Sequence, residues 1–409
     1  MKLDKIQNIL IYLFAFSLVF ENWNFMSIAG NSLPKIVGYL LILVSLFDYK
    51  RTFNLVNFKS YLLPLFGFLG VVLFSVLLNY TGNTGWSHIL MQIVNNIFFF
   101  WILINILNGR KQTINNMILA LNAGVLVMVL LFALGIGTSY DGEGRLSLFG
   151  ENPNKIGLLS VICILYIITY IFEFLNKKSW YHYLPLLFLI PLFGIVASVG
   201  SRVTFIGLVF TLSLFFLFKK NVNFPEKIGI IILGVFLITF VYNYFMSFDL
   251  LQSRMLRFYE DQDISGRDRI WELIVPELLS NPFFGLGING YTELMSKQFS
   301  GFFSPHNVFI EVLIYCGLSG LVFFLIFLFR IFITSYQIFK YNSYSYPILV
   351  FMFFLFVYLS GQGLAVKFVW IFYAYILVYW HTFRVEKLKS VLISHFRIKN
   401  IKRKLLKRA

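Results

Sequence analysis

Charge is what this chain has least of. Asp, Glu, Lys and Arg make up 13% of its 409 residues, where a soluble domain carries about 25%. That shortage excludes a water-soluble globule, although length alone would suggest two or three soluble domains. Cysteine is also scarce. Cys163 and Cys316 are the only two, so neither a disulfide framework nor a zinc-ligand spacing exists. Both fall in apolar or membrane-edge segments and read as packing residues. The first apolar run ends in Phe20-Glu21-Asn22-Trp23, with no small-residue cleavage site, so it reads as a retained span and not as a signal peptide. Ten-residue alternation is missing too, which argues against a membrane β-barrel.

What remains is 59% hydrophobic and 20% aromatic. A bilayer-spanning helix needs about 20 mostly apolar residues. Candidates fall at Ile6–Phe20, Leu33–Phe47, Tyr61–Leu78, His88–Leu107, Met117–Gly137, Lys155–Phe174, Tyr181–Gly200, Arg202–Phe218, Ile228–Met246, Gly317–Phe339, Tyr346–Leu364 and Phe368–Trp380. The expected fold is therefore all-α: a polytopic integral membrane protein of about twelve spans. The first, second and last are short, which leaves their boundaries soft. Trp23, Trp86, Trp180 and Trp380 lie near the predicted interfaces, as belt residues do.

With both termini in the cytoplasm, most of the 34 Lys and Arg residues face inward and most of the 18 Asp and Glu residues face outward. The net charge of +16 is then topological and gives no sign of nucleic acid. The basic tail Lys399–Arg408 is expected to rest on anionic lipid head groups. The organisation that follows is nine spans over 1–246, a long extracytoplasmic loop over 247–305, a helical hairpin with spans ten to twelve over 306–384, and a cytoplasmic tail over 385–409.

Polar residues concentrate on the outer side. Ser247 to Pro305 is far longer than the usual connection of about 4–6 residues, and long ordered loops are usually functional. Within it, Ser265 can cap a helix from Gly266, whose Ile270, Trp271, Ile274 and Leu278 recur at helical spacing and imply a surface-lying amphipathic helix stopped by Asn281-Pro282. Ser304 can cap a second helix with Pro305 at its first position, placing His306 and Asn307 where free N–H groups favour an anion. Gly285-Leu286-Gly287-Ile288-Asn289-Gly290 has the dinucleotide-binding spelling, but no strand precedes it, so it reads as a loop. Asp261-Gln262-Asp263 could hold a divalent cation, though two carboxylates in a loop are more often simply solvated. Arg202 sits at the outer edge of a span. It either snorkels to the interface or holds an anionic ligand, for which a guanidinium gives bidentate, permanently charged recognition.

At these residues the chain resembles a known superfamily. Arg145 with Gly150-Glu151-Asn152-Pro153-Asn154, Ser198-Val199-Gly200-Ser201-Arg202, Ser265-Gly266-Arg267 with Trp271, Asn281-Pro282-Phe283-Phe284-Gly285-Leu286-Gly287, His306-Asn307 and Gly317-Leu318-Ser319-Gly320-Leu321 together look like the signature region of O-antigen polymerases and O-antigen ligases. The resemblance implies a glycosyltransferase in the inner (cytoplasmic) membrane of a bacterium, using undecaprenyl-diphosphate-linked oligosaccharides on the outer face. Carried over, Arg202 and Arg267 bind the diphosphate and His306 lies at the reaction centre. Arg145, Asn152, Asn154, Arg269 and Asn307 are candidates for contacts to phosphate, to sugar or within the loop. A polymerase joins repeat units and would work beside membrane lipids and a chain-length regulator. The alternatives are a ligase that transfers polymer to lipid A–core, and a lipid-linked oligosaccharide transporter. No cofactor or metal is implied, because arginine supplies the positive charge.

Overall fold

The computed structural model describes residues 2–23, 27–28, 31–79, 87–141, 144–174, 180–218, 267–299, 303–359, 361 and 363–385, with isolated positions between 228 and 256. Most of the expected span Ile228–Met246, the Asp261–Asp263 pair, Ser265 and Gly266, and the basic tail lie outside them.

The described chain is helical nearly throughout, as an all-α polytopic membrane protein should be. Two short antiparallel ladders interrupt it, Ser27–Ile28 with Asn31–Ser32 and Thr138–Tyr140 with Leu146–Leu148. Seven helical stretches among the described residues are long and apolar enough to cross a membrane: Leu3–Phe20, Lys59–Leu78, His88–Leu107, Lys111–Ala133, Pro153–Glu173, Trp180–Ser198 and Val308–Asn342. The apolar helices Leu33–Leu46, Arg202–Phe218 and Tyr346–Tyr358 hold 14, 17 and 13 residues, and residues 367–385 are also helical. The first three fall short of the about 20 residues of a straight span. Among the described residues seven helices are thus long and apolar enough by themselves, and the expected twelve include Ile228–Met246, most of which lies outside those residues.

Residues 368–378 are each 3% exposed or less, and Pro153–Thr169 is nearly as deep. Helices that are apolar all round belong at the centre of a bundle. Around them, Lys59–Leu78 runs along Val308–Asn342, with Phe68 against Phe324 and a hydrogen bond of 2.8 Å between the Tyr61 and Thr334 hydroxyls. The first helix, Lys2–Ser17, packs against both Leu33–Leu46 and Lys111–Ala133.

The helix Val308–Asn342 is not continuous. At Cys316 (φ −149°) and Gly317 (φ +62°) its backbone leaves the helical region. A turn from Asn281 to Leu286 fills the break. Leu286 N–H donates to the Ile314 carbonyl (2.8 Å), Leu318 N–H to Pro282 (2.8 Å) and Ser319 N–H to Phe283 (3.2 Å). Backbone meets backbone so closely that a Cβ at Gly317 would lie 2.3 Å from the Phe283 carbonyl, and one at Gly285 2.5 Å from Ile314 O. Ser75 Oγ donates to the Phe284 carbonyl (2.6 Å) and ties the joint to Lys59–Leu78. The two glycine-rich motifs are halves of one joint. Gly287 opens the helix Gly287–Gln298, so the loop reading of Gly285–Gly290 is corrected. The helix follows because the joint satisfies the backbone just before it.

A second tie lies where the first helix ends. Lys155 Nζ sits 2.9 Å from carboxylate oxygens of both Glu21 and Glu151, and Lys367 Nζ also contacts Glu21. Glu151 accepts from both the backbone N–H and the side-chain amide of Asn22, at 2.9 Å each. Two carboxylates and two ammonium groups thereby join the first helix, the Pro153 helix and the start of helix 367–385. Burial raises the Glu21 carboxyl, but Lys155 and Lys367 outweigh it and hold the group below the usual carboxylate value. Burial dominates at Glu151, whose carboxyl is held above it despite Lys155 and the Asn22 N–H.

Gly317→Ala should lower the thermal stability of the detergent-purified protein by about 2 kcal/mol or more, through the left-handed φ and the backbone collision. Gly70→Ala, with nothing within 4 Å of the added carbon, should leave stability equal or raise it by about 0.5–1 kcal/mol. Lys155→Met leaves the buried Glu151 carboxylate without an ammonium partner and should cost about 3–5 kcal/mol, more than Lys367→Met, after which Lys155 still pairs with both Glu21 and Glu151. The depressed Glu21 contributes stability that is complete above about pH 4.3 and lost as pH falls through its lowered value. The raised Glu151 works in the opposite sense, its contribution being lost as pH rises through its elevated value. Unfolding midpoints against pH for wild type, Glu21→Gln and Glu151→Gln should therefore diverge on opposite sides.

Candidate functional site

One wall of the site is built from the hairpin Thr138–Leu148 and two helix starts. Arg145 lies at the foot of the hairpin, 14% exposed. Its Nε donates to the Val199 carbonyl (3.1 Å) and its Nη2 to Asn154 Oδ1 (2.8 Å), while Asp141 Oδ2 stands 3.9 Å away. Asp141 also accepts from the Arg145 backbone N–H (2.9 Å), which closes the turn. Asn152 caps the helix Pro153–Thr169 by accepting from the Asn154 N–H (2.9 Å), with Pro153 in the first position that tolerates proline. The three motif residues of this wall are thus bonded together, and Arg145 fastens them to the turn before Arg202.

That turn is Val199-Gly200-Ser201. Ser201, 6% exposed, accepts from the Thr204 N–H (3.4 Å) and from its hydroxyl (2.9 Å), so it caps the helix that Arg202 begins. A cation at a helix N-terminus opposes the helix dipole at a cost of about 0.3–1 kcal/mol. The half-buried Arg202, the first residue of its helix, therefore sits where stability alone would not place it.

The opposite wall is the corner at His306. Here the expected cap is corrected. Asn307, not Ser304, caps the helix, accepting from Phe309 N–H (2.9 Å) and Ile310 N–H (3.1 Å), and the helix starts at Val308. Ser304 Oγ instead accepts from the His306 N–H (3.2 Å) in a tight turn. His306 adopts a left-handed φ of +53°, which swings the chain into the helix and leaves the imidazole half-buried just ahead of it. The Asn307 amide donates to the Leu359 carbonyl (3.0 Å). Leu359 ends the helix Tyr346–Tyr358, which packs along Arg202–Phe218 with Phe356 stacked on Phe210. His306 and Arg202 therefore border the same end of the bundle.

The helix Arg267–Ser280 closes the arrangement. It appears where the apolar spacing predicts, buries Ile270 and Ile274, and ends at Ser280 before Asn281-Pro282. The Trp271 indole N–H donates to the Pro305 carbonyl (2.9 Å), so Arg267, one turn earlier, stands on a helix pinned to the His306 corner. Arg269 is exposed on this helix. Among the described residues no three His, Cys, Asp or Glu side chains converge as metal ligands.

Sequence reasoning did not single out Lys155 or Lys367, and took Glu151 only as a motif letter. It also passed over Glu311, a lone carboxyl in an apolar run. Glu311 stands four residues after Asn307 and four before Tyr315, a helical spacing visible in the sequence.

No curated protein matches the chain. The matched family segment starts within the stretch Trp180–Ser198 and takes in Arg202, Arg267, His306 and both halves of the glycine joint. Residues 186–325 match the model of the Wzy_C family, O-antigen ligase, which supports the resemblance of the motifs to O-antigen polymerases and ligases.

Proposed function

We propose that the protein is a glycosyltransferase that polymerises polysaccharide repeat units, moving the glycan from one undecaprenyl-diphosphate carrier to another lipid-linked repeat at the outer face of the inner membrane. The supporting observation is that one family segment carries Arg202, Arg267 and His306, and the fold brings their helix starts to one end of the bundle. The polyprenyl chain keeps the donor in the bilayer, so the diphosphate reaches the protein at such an end. As the glycosidic bond breaks, charge grows on the diphosphate. Arg202 and Arg267 stabilise it, and preplaced cations of this kind need little reorganisation. The His306 imidazole, in its neutral form, takes the proton of the acceptor hydroxyl. Asn152 and Asn307 serve as caps, Asn154 and Arg145 hold the Arg202 turn, and the exposed Arg269 is left for phosphate or sugar.

The second reading is a ligase that transfers finished polymer to lipid A–core, which the description of the matched family favours. A knockout separates the two on a gel. Loss of a polymerase leaves single repeats on the final acceptor, whereas loss of a ligase leaves free lipid-linked polymer. Elongation of lipid-linked repeats by purified protein in detergent, without a gradient, excludes transport.

Arg202→Ala, Arg267→Ala and His306→Ala, each at wild-type expression, should cut elongation by about a hundredfold or more. Polymer of normal length from any of them overturns its role. Arg145→Lys keeps the charge but loses the paired bonds to Val199 and Asn154. It should lower turnover while the protein stays folded, because it shifts the Arg202 turn; an unchanged rate would show that the turn holds without it.

A further inference from the structure

The end of the bundle remote from His306 holds two cavities that the glycosyltransferase reading does not use. The helix Lys111–Ala133 runs toward the Arg145 hairpin, and Val308–Asn342 runs away from the His306 corner, so Lys111 and Asn342 both belong to this remote end. The cavities share Tyr379 as a wall and lie one turn apart along two helices. Asn115 and Ile118 line the deeper one, Lys111 and Ile114 the outer one. On helix 367–385 the sequence passes likewise from Tyr375 and Tyr379 to Thr382 and Phe383. Among the described residues no Asp or Glu lines either cavity.

The deeper cavity, about 220 Å³, is walled largely by hydroxyls. Tyr344 and Tyr375 are buried there with their hydroxyls bonded at 2.9 Å, and Tyr166 and Thr169 line the space with them. The outer cavity, about 270 Å³, has a different chemistry. Lys111 lines it as the first residue of a helix whose N-cap, Arg110, supplies no side-chain hydrogen bond. An ammonium and a helix N-terminus both favour an anion. A second observation points the same way. Thr382, 6% exposed, lines the cavity with a hydroxyl that has no partner, and the buried Asn342 Oδ1 has none either. Polar atoms left so cost about 1–3 kcal/mol each until a ligand or water meets them. At the rim, Tyr341 is 53% exposed, stacks on Trp380 at 6.0 Å and carries the Lys340 ammonium 5.4 Å from its ring centroid. Trp and Tyr concentrate at the head-group level of a bilayer.

We propose that this cleft binds an anionic phospholipid whose head group carries hydroxyls, a phosphoglycerol. The phosphodiester accepts from the Lys111 ammonium and the Thr382 hydroxyl. A head-group hydroxyl donates to Asn342 Oδ1, and the tyrosine hydroxyls beyond Tyr379 meet the rest of the glycerol. Basic clefts between helices on the cytoplasmic side of a membrane hold such lipids, and the charge distribution of the sequence leads one to expect this end on that side. A soluble phosphate offers the same charge. The aromatic rim favours the lipid, because only a ligand with chains uses it. The site lies apart from Arg202 and His306, so it stands whether or not the glycosyltransferase reading holds.

The test uses the full chain, purified in detergent and stripped of lipid. It is titrated with phosphatidylglycerol, with phosphatidylcholine of the same chains, with glycerol 1-phosphate and with inorganic phosphate, and bound lipid is read by native mass spectrometry beside the thermal midpoint. Phosphatidylglycerol should bind and raise the midpoint by a few degrees. Lys111→Gln and Thr382→Val, each eluting as a folded protein, should bind it about tenfold more weakly or worse. Thr382→Ser, which keeps the hydroxyl, and Lys297→Gln, an exposed lysine elsewhere, should bind as wild type does. Equal binding of phosphatidylcholine, or unchanged binding by either Lys111→Gln or Thr382→Val, overturns the proposal. Protection by glycerol 1-phosphate or inorganic phosphate at the concentration where the lipid acts assigns the cleft to a soluble anion and overturns the lipid.

Discussion

A backbone that leaves the helical path inside a protein has no water to bond to, so another part of the chain must supply the partners. The break at Cys316-Gly317 obeys that constraint, and much of the site follows from it. Three backbone hydrogen bonds from the Asn281–Leu286 turn close the gap. They also fix where Arg267–Ser280 ends and where Gly287–Gln298 begins. The short helical piece between His306 and Tyr315 is thereby held at an angle of its own, separate from the long helix beyond Gly317. The Trp271–Pro305 bond then sets the corner. Had the helix been straight, the turn would have had no place to dock.

The Arg202 wall is held by a different interaction, the pairing of buried charges. Lys155 is shared between Glu21 and Glu151 on the very helix whose cap is Asn152 and whose first turn holds Asn154. Arg145 continues that chain to Val199. Buried ion pairs are weak evidence for stability, since desolvation offsets much of their attraction. Their geometry, however, is specific, and the cluster fixes the register of three helix ends at once. One wall thus hangs on hydrogen-bonded backbone and the other on paired charge.

The sequence revealed the helices by their apolar runs and the amphipathic Arg267–Ser280 helix by its spacing, with an end within a residue of the structure. It missed the joint because glycine-rich spellings look alike in a loop and in a close backbone contact. The difference lies in a partner some thirty residues away, which no local pattern carries. The cap moved from Ser304 to Asn307 because both residue types cap well, and the left-handed φ at His306 decided between them. The shared Lys155 stayed hidden because its carboxylates come from opposite ends of a span and a loop.

On the proposed reading, arginine and histidine form a set suited to a donor whose leaving group is an anion fixed in the bilayer. A guanidinium keeps its charge at any physiological pH, so the grip on the diphosphate does not titrate. The proton has to be handled elsewhere, by groups whose charge does change. On the proposed reading the two tasks fall to different parts of the fold. The guanidinium of Arg202 stands at a helix N-terminus on the charge-paired wall, while His306 stands on the wall fixed by the glycine joint.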